Sequence, residues 1–386
     1  MRPMLKSALR QCWRDRDSVQ FGVDPAHAVV LEPVDGAAAG FLGLLDGTRG
    51  TQTLTRDAGA LGIPPEQVRR LLGLLAEGGV LDDAAAQGTL SRAVRHRGSA
   101  LDRLRPDLAA LSLIHPGPGG AAARIWHRRA SRVRVHGAGR VGAALAALLS
   151  AAGIGAVELL DGGRVEPWDV APGGFPAEHI GERRDAAGRG TVRRAAPGPR
   201  ATAGQRAGPA ASAGATGAAV AVIAPRDGLL AYAPDVDGAR RLVAAGVPHL
   251  YTGVLEGTGV VGPLVLPGRT ACGECLGLRL ADRDPAWPRL LAQLRSGRQP
   301  AVPACDVAQA AAVAGLAAGH VLAQIDGREA PSLGGRVELS LARLSHRAWP
   351  LPADSRCGCG AAVARRSGAA DPGQDHPPVG KGTMAM

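Results

Sequence analysis

The chain has 386 residues, with 45 basic and 34 acidic side chains and a formal net charge of +11. Glycine and proline together supply 84 residues, a share just below that of wholly disordered chains, so we expect a globular protein with loose segments. Only ten residues are aromatic, too few to stack bases between the basic groups, which argues against nucleic acid as a partner.

The first residues lack the apolar stretch that a secretory signal needs, because Arg2, Lys6 and Arg10 are spread through them. The longest apolar runs, 141–157 and 308–323, are shorter than the ~20 residues that span a membrane. We therefore expect a soluble, cytoplasmic protein with no membrane partner. Its six cysteines should be reduced, which favours metal ligands or reactive thiols over disulfides.

Residues 1–90 are predicted to form a small separate module. The pattern gives two short strands, 18–23 and 28–32, and two helices, 36–45 and 52–60. Apolar residues at helical spacing then predict a third helix, and a wing strand follows it. The apolar face of that helix comprises Val68, Leu71, Leu72, Leu74 and Leu75. Together these elements indicate a winged-helix-like α+β module.

Residues 45–81 of this module resemble the precursor-peptide recognition modules of peptide-modifying enzymes. Such modules bind an extended leader peptide by adding it as a strand to the edge of a sheet, which backbone pairing alone can support. A purely structural or dimerising role for the module remains open. No side chain in it is a candidate for chemistry.

Residues 91–125, with Pro106 and a Gly/Pro-rich run, are interpreted as a linker that could contain one helix. Beyond them, the strand 133–136 leads into a Gly-x-Gly-x-x-Gly turn, Gly137 to Gly142, and then a helix of small residues. This order brings backbone N–H groups and a positive helix end up to a phosphate, and the three glycines of the turn are Gly137, Gly139 and Gly142.

Asp161 strengthens the prediction of a nucleotide site. It ends the second strand, 156–160, and lies 22 residues beyond Gly139, where a carboxylate accepts hydrogen bonds from both ribose hydroxyls. A glycine-rich loop without function is the alternative, and the register of strand, helix and acid argues against it. An NAD(P)-dependent oxidoreductase would also suit the turn, but it gives the cysteine pairs described below no role.

The stretch 162–184, which contains Gly162-Gly163-Arg164-Val165-Glu166 and Ile180-Gly181-Glu182-Arg183-Arg184, resembles the E1-like activating enzymes of the ThiF/MoeB/HesA type. Later strands keep the family's order, so the resemblance covers about residues 130–360. It implies an α/β fold over 126–360: a Rossmann-type sheet with helices on both faces and a structural zinc knot. It also implies ATP and Mg²⁺ as cofactors and a homodimer. Asp227, after the strand 221–224, lies where the family carries a magnesium-associated aspartate.

Four cysteines form two close pairs, Cys272-x-x-Cys275 and Cys357-x-Cys359, separated by 81 residues. Four reduced thiolates in two such pairs suit tetrahedral Zn²⁺. The E1-like family uses two Cys-x-x-Cys pairs as its zinc knot, and the second pair here is one residue tighter. A disulfide or plain buried thiols remain the alternatives.

Cys305 precedes the predicted helix 306–325. By the resemblance, it lies where sulfur-carrier activators keep a reactive cysteine that takes an acyl or sulfur group. A buried structural cysteine at the start of an alanine-rich helix is the alternative, since the sequence identifies no partner that would stabilise a thiolate.

The sequence departs from the family pattern at the phosphates. Asp169 stands at the asparagine position, Pro172 at the arginine position, and Arg184 is the nearby basic replacement for the lysine. An extra carboxylate at Asp169 would repel a triphosphate unless a metal lay between them. The segment 188–219 has too few apolar side chains to order itself, so the third strand is expected only weakly, around Thr191-Val192.

The resemblance predicts ATP-dependent adenylylation of the C-terminal carboxylate of a small ubiquitin-like or sulfur-carrier protein, or of a precursor peptide. Gly137, Gly139 and Gly142 would cradle phosphate, Asp161 would hold the ribose, Arg184 a phosphate oxygen and Asp227 Mg²⁺, with Cys305 as a candidate for group transfer. The alternative is a catalytically degenerate E1-like protein that binds a peptide and presents it to a partner modifying enzyme. Residues 361–386 are predicted to be a disordered tail.

Overall fold

A computed structural model describes residues 1–93, 98–198, 219–296, 302–363 and 382–385. The chain divides into two compact units, which are treated separately here. The first comprises residues 1–126 with 372–386, and the second comprises residues 127–371.

The first unit contains two sheets and a series of helices. β1 and β5 pair antiparallel, and a second sheet has the order β13-β4-β3-β2. Its strands are β1 (Pro3–Leu5), β2 (Gln11–Trp13), β3 (Val19–Phe21), β4 (Val29–Glu32), β5 (Leu81–Asp83) and β13 (Gly382–Ala385). Its helices are α1 (Gly36–Leu44), α2 (Thr51–Gly59), α3 (Pro65–Glu77), α4 (Ala84–Ala93), α5 (Gly98–Ile114) and most of α6 (Gly120–Ala130).

The elements expected for residues 18–83 are present within a few residues of the predicted bounds. Val68, Leu71, Leu72 and Leu75 of α3 are buried, and Leu74 is half-buried, as helical spacing predicts. Asp35 caps α1 by accepting a hydrogen bond from the Ala38 amide at 2.7 Å. These elements are compatible with the winged-helix interpretation, which itself stays a prediction.

The stretch 91–125, interpreted as a linker with one helix, carries α5 and the start of α6. Leu104, Leu108 and Leu111 follow an i, i+4, i+7 spacing on α5 and pack with Ile125 of α6 in a separate small core. Pro106 lies inside α5 without ending it. Burial of this leucine face explains why the segment is helical despite its proline and glycine content.

The second unit is built on a seven-stranded sheet of order β12-β11-β10-β9-β8-β6-β7. β7, β6, β8 and β9 run parallel, and β10, β11 and β12 are added antiparallel. Its strands are β6 (Arg132–His136), β7 (Ala156–Leu160), β8 (Ala219–Ile223), β9 (His249–Leu255), β10 (Thr258–Val265), β11 (Gly335–Ser340) and β12 (Ser345–Pro350). Its helices are α7 (Arg140–Ala151), α8 (Arg184–Ala195), α9 (Leu229–Tyr232), α10 (Val236–Ala244), α11 (Gly273–Arg283), α12 (Trp287–Ser296) and α13 (Val307–Ile325).

Both faces of this sheet are covered, as expected for a Rossmann-type α/β fold. Leu250 of β9 belongs to a core shared with α7 and α13, whereas the next residue, Tyr251, belongs to a second core shared with α11. Successive residues of a strand point to opposite faces, so the two cores lie on opposite sides of the sheet.

α13 passes a length and composition test for a membrane-spanning helix, but ten of its nineteen residues are buried in the core of the second unit. It is therefore a core helix. Thr191 and Val192, where a weak third strand was expected, lie in the helix α8. Most of the rest of the segment 188–219 lies outside the described residues.

Candidate functional site

The glycine turn connects β6 to α7, as predicted. Gly137 has φ +109°, and a Cβ there would lie 2.0 Å from the Ala224 carbonyl oxygen. At Gly142 a Cβ would lie 2.0 Å from the Gly137 carbonyl oxygen. Both positions require glycine. Gly137 lies against the backbone at the end of β8, and Gly142, in the first turn of α7, lies against the backbone of the glycine turn itself. The turn therefore has the backbone form that a phosphate loop needs.

Asp161 lies at this turn, as its spacing predicts. Its Oδ2 accepts a hydrogen bond of 2.7 Å from the Ala138 amide, and its Oδ1 is 3.6 Å from Nη1 of Arg184. The structure therefore brings Asp161, the glycine turn and Arg184 together.

Asp169 is buried between two arginines. Its Oδ2 accepts hydrogen bonds from Nε and Nη2 of Arg184 at 3.2 and 3.0 Å, and its Oδ1 accepts one from Nε of Arg226 at 2.9 Å. Glu166 completes the group: its Oε2 accepts hydrogen bonds from Nη2 of both arginines. Two guanidinium groups and two carboxylates thus form one network, which we call the arginine–carboxylate lattice (Glu166, Asp169, Arg184 and Arg226).

The lattice gives Asp169 a role beyond the expected repulsion of a triphosphate. The carboxylate instead holds both arginines in place, and its side chain is only 3% exposed. Burial opposes the charge on Arg226, but its bonds to Asp169 and Glu166 raise its pKa above the ordinary value. Within the lattice the formal charges of the two arginines and the two carboxylates cancel.

Arg226 also fills the space over the turn. A Cβ built on Gly139 would lie 3.1 Å from its Cγ and 3.4 Å from its Cα. The cavity that remains among Gly139, Gly142, Asp169 and Arg226 measures about 60 Å³. Small-molecule pockets in proteins measure roughly 300–1,000 Å³. The cavity directly over the turn is therefore smaller than a nucleotide site, and Val302 and Pro303 also line the larger cavity beside it.

Asp227 lies outside the lattice. Its Oδ1 accepts a hydrogen bond of 3.1 Å from the Leu229 amide, and it lines a separate cavity of about 720 Å³. Glu256, held at φ +50° in the turn between β9 and β10, and Trp287 line the same cavity. Val302 borders both this cavity and the small one. The predicted magnesium aspartate therefore adjoins the turn without lining its cavity.

Cys305 adjoins the same turn through its backbone. Nη1 of Arg140 donates to the Cys305 carbonyl oxygen at 2.8 Å, and Nε donates to the Trp168 carbonyl oxygen at 2.8 Å. Burial raises the pKa of the Cys305 thiol, and the nearby charge of Arg140 offsets only part of that rise. A raised pKa keeps the sulfur protonated at neutral pH, which favours the structural interpretation of this cysteine over the reactive one.

The four paired cysteines converge on one point, as predicted. Neighbouring Sγ atoms lie 3.5 to 3.9 Å apart, and all four lie within 4.8 Å of one another. Four Zn–S bonds of about 2.3 Å in tetrahedral geometry place the sulfurs roughly 3.8 Å apart. All four thiols are free, so the structure does not show the disulfide alternative. Cys272, Cys275, Cys357 and Cys359 therefore fit a zinc ion despite the tighter second pair.

Surrounding groups support this cluster. Sγ of Cys272 donates to Sγ of Cys275, and this bond lowers the pKa of the Cys275 thiol to about 5. The Asp354 amide also donates to Cys275 Sγ, at 3.5 Å. Glu274 accepts from Cys357 Sγ at 3.5 Å and from Arg240 at 2.6 Å. Such outer contacts orient metal ligands.

Sequence reasoning missed Arg226 and Glu166. Glu166 lies in the stretch 162–184, which carries the family resemblance, and Arg226 directly precedes Asp227. The position of Arg226 after β8 is the signal that could have found it, because the carboxyl ends of parallel strands meet at one edge of a sheet.

Solved structures of E. coli MccB resemble the chain in fold. MccB bound to selenomethionine MccA superposes with a TM-score of 0.63 at 15% identity, covering 93% of this chain and 99% of that one. MccB with ATP gives a TM-score of 0.61 at 14% identity, covering 93% and 99%. The heterocyclase TruD gives a TM-score of 0.60 at 16% identity, covering all of this chain but 49% of TruD.

No curated protein matches the chain by sequence. The model of the ThiF family, by contrast, matches residues 124–361, which is 238 of the 386 residues. This match spans both the glycine turn and the four-cysteine cluster. The chain belongs to the ThiF family.

Proposed function

We propose that this chain binds a precursor peptide and presents it to a separate modifying enzyme, with the ThiF-type unit acting as a scaffold. The observation that carries the proposal is the arginine–carboxylate lattice at the glycine turn. Arg184 and Arg226, two cations beside the turn, are both bound by Asp169.

A nucleotide would have to break this lattice in order to bind. The arginines would exchange a carboxylate for a phosphate, and the buried Asp169 would lose its two arginine partners. A buried carboxylate without a partner is costly. The triphosphate would also meet the carboxylates of Glu166 and Asp169 beside the displaced arginines. This cost supports a scaffold whose nucleotide site has been given up.

The first unit supplies the peptide-binding part of the proposal. In its four-stranded sheet β4 lies between β3 and the short strand β13, and a cavity of about 310 Å³ lies between Val29 at the start of β4 and Glu77 at the end of α3. A strand beside a helix is the setting in which extended peptides add to a sheet. We extend the winged-helix and peptide-recognition interpretation to this unit on that basis.

TruD, a heterocyclase, is about twice as long as the part of it that matches this chain. A partner modifying enzyme is part of the proposal. The zinc ion, the homodimer and the cytoplasmic location predicted from the sequence remain part of the proposal.

A second candidate function is ATP-dependent adenylylation of the peptide's C-terminal carboxylate. Family membership supports an adenylyltransferase-like role, and two observations favour it: the formed glycine turn with Asp161, and the large cavity beside Asp227. In this function Asp161 would hold the ribose, Arg184 a phosphate oxygen and Asp227 Mg²⁺. Arg226 and Asp169 would first have to separate.

Calorimetry and pyrophosphate exchange distinguish the two functions. The probes are ATP·Mg²⁺ and, separately, synthetic copies of the small peptides encoded beside the gene. We expect one peptide to bind while ATP neither binds at millimolar concentration nor exchanges pyrophosphate, with or without that peptide. Peptide-dependent exchange into ATP would overturn the scaffold and establish the adenylyltransferase.

A further inference from the structure

The sheet of the first unit contains a strand from a distant part of the chain. β13 runs parallel to β4 over four residue pairs, from Gly382 opposite Val29 to Ala385 opposite Glu32. The other three strands lie between residues 11 and 32 and form an antiparallel meander. β13 is therefore an addition to a sheet that is already continuous without it.

β13 covers the whole of β4. The four residues of β4 are Val29–Glu32, and each has a partner in β13. Without β13, one side of β4 would present unpaired N–H and C=O groups, which is the template that an incoming strand requires. This is also the edge that the proposed function needs for a peptide.

The added strand is built to be weak. It has four residues and begins with Gly382, and glycine is depleted in strands because it has no side chain to pack. Its attachment to the same chain compensates, because a tethered segment acts at an effective concentration in the millimolar range. A strand of this kind stays bound in the absence of competitors and yields to a longer peptide.

We infer that the segment Gly382–Ala385 is a resident strand that occupies the peptide-accepting edge of β4 and must leave before a peptide can pair there. Its use against a peptide rests on the proposed function, whereas the pairing itself does not. Because only the open form accepts a peptide, the apparent dissociation constant is the intrinsic one divided by the open fraction.

The first test measures the pairing alone. Hydrogen–deuterium exchange is followed in the full chain, in a Thr383→Pro/Met384→Pro variant and in a matched Thr383→Val/Met384→Val control. Proline removes the N–H donor and disfavours a paired strand, whereas valine keeps both the donor and the strand preference. We expect exchange within residues 29–32 to become about tenfold faster in the proline variant alone, with β3 and α3 unchanged.

Equal exchange of β4 in all three proteins would overturn the resident strand. Protection of β4 that rises with protein concentration would assign the strand to a second copy of the chain, and would likewise overturn it. Retained protection of α3 shows that the proline variant is folded.

The second test measures competition, with a fluorescein-labelled copy of each peptide encoded beside the gene as the probe. Any peptide that binds should bind about tenfold more tightly to the proline variant than to the full chain or the valine control. Equal affinity for all three proteins would overturn the inference, because the peptide would then use another surface. If β4 exchanges faster in the proline variant but no peptide binds any of the three, the resident strand stands and the proposed function fails.

Discussion

Oδ1 of Asp169 and Nε of Arg226 are joined by a 2.9 Å hydrogen bond beside the glycine turn. The bond ties the loop after β7 to the loop after β8, across the place where a ThiF-type domain would hold phosphate. Because the other oxygen of Asp169 binds Arg184, one carboxylate binds both arginines. The positions of both arginines beside the glycine turn therefore depend on Asp169.

Replacing Asp169 with asparagine is expected to destabilise the second unit by about 3 kcal/mol, the lower end of the range for a broken buried ion pair, because Glu166 and Asp161 still compensate part of the charge of Arg184. The free energy of unfolding in urea measures the effect. Asp185→Asn is the matched control: this half-buried carboxylate pairs with the exposed Arg183 and Arg189, and its loss should have a clearly smaller effect. Equal effects of the two changes would show that the lattice does not hold the loops together.

Replacing Arg226 with alanine should open the small cavity over Gly139 and leave Asp169 bound to Arg184 and to the Glu166 amide. We expect ATP·Mg²⁺ to bind the variant at least tenfold more tightly than the unaltered chain, since no lattice bond to Arg226 has to break. Titration calorimetry measures this. Arg241→Ala, on the exposed side of α10, is the control and should leave ATP binding unchanged.

The adenylyltransferase candidate predicts the opposite result for this variant. If Arg226 swings out to hold a phosphate during catalysis, its removal should weaken ATP binding and abolish pyrophosphate exchange. The sign of the change in ATP affinity therefore distinguishes a closing side chain from a phosphate ligand.

Local patterns predicted the parts of this site that depend on neighbouring residues. Spacing along the sequence predicts the glycine turn, Asp161 at the end of β7 and the two cysteine pairs. Strands and helices have fixed periods, so residues close in sequence can be placed relative to one another. Arg226 could not be predicted in the same way, since its partner Asp169 is 57 residues away. Only the sheet order, with β6 between β7 and β8, brings the two loops together.

The same reasoning applies to residues 91–125. Pro106 and nearby glycines suggested a linker with at most one helix, and the leucines of α5 have helical spacing and a partner in a second helix, α6. Burial in tertiary contacts outweighed weak local preference. β13 lies in the stretch predicted to be a disordered tail, and its pairing with β4 carries no signal in the composition of residues 361–386.

Stability should fall as the pH drops below about 6.5, the ordinary pKa of histidine. Burial lowers the pKa of His249 and of His320, so below the ordinary pKa these histidines bind protons in the unfolded chain more readily than in the folded chain. Unfolding is therefore favoured between the ordinary pKa and the lower folded one, with a slope of at most about 1.4 kcal/mol per pH unit for each histidine. Above that range the contribution is constant.

Urea unfolding from pH 7.5 to 5 measures this slope. His320→Gln should reduce the slope, because glutamine does not titrate and can still hydrogen-bond to the Ser332 hydroxyl that contacts His320 Nδ1 at 2.8 Å. His27→Gln, on the exposed surface of the first unit, is the control. A slope unchanged by His320→Gln would assign the acid sensitivity to other groups.

The purified protein should contain about one zinc ion per chain, because four sulfurs within 4.8 Å of one another match the ligand set of a closed structural site. Cys357→Ser should lower both the zinc content, measured by elemental analysis, and the melting temperature, since metal binding contributes directly to folding. Cys12→Ser removes an exposed cysteine outside the cluster and should change neither. A cluster of plain buried thiols predicts instead that no zinc copurifies and that a strong chelator leaves the melting temperature of the unaltered chain in place. Serine is nearly isosteric with cysteine, so Cys357→Ser tests the ligand rather than the packing. If added zinc fails to restore the melting temperature of the unaltered chain after chelator treatment, the metal is not the source of the lost stability.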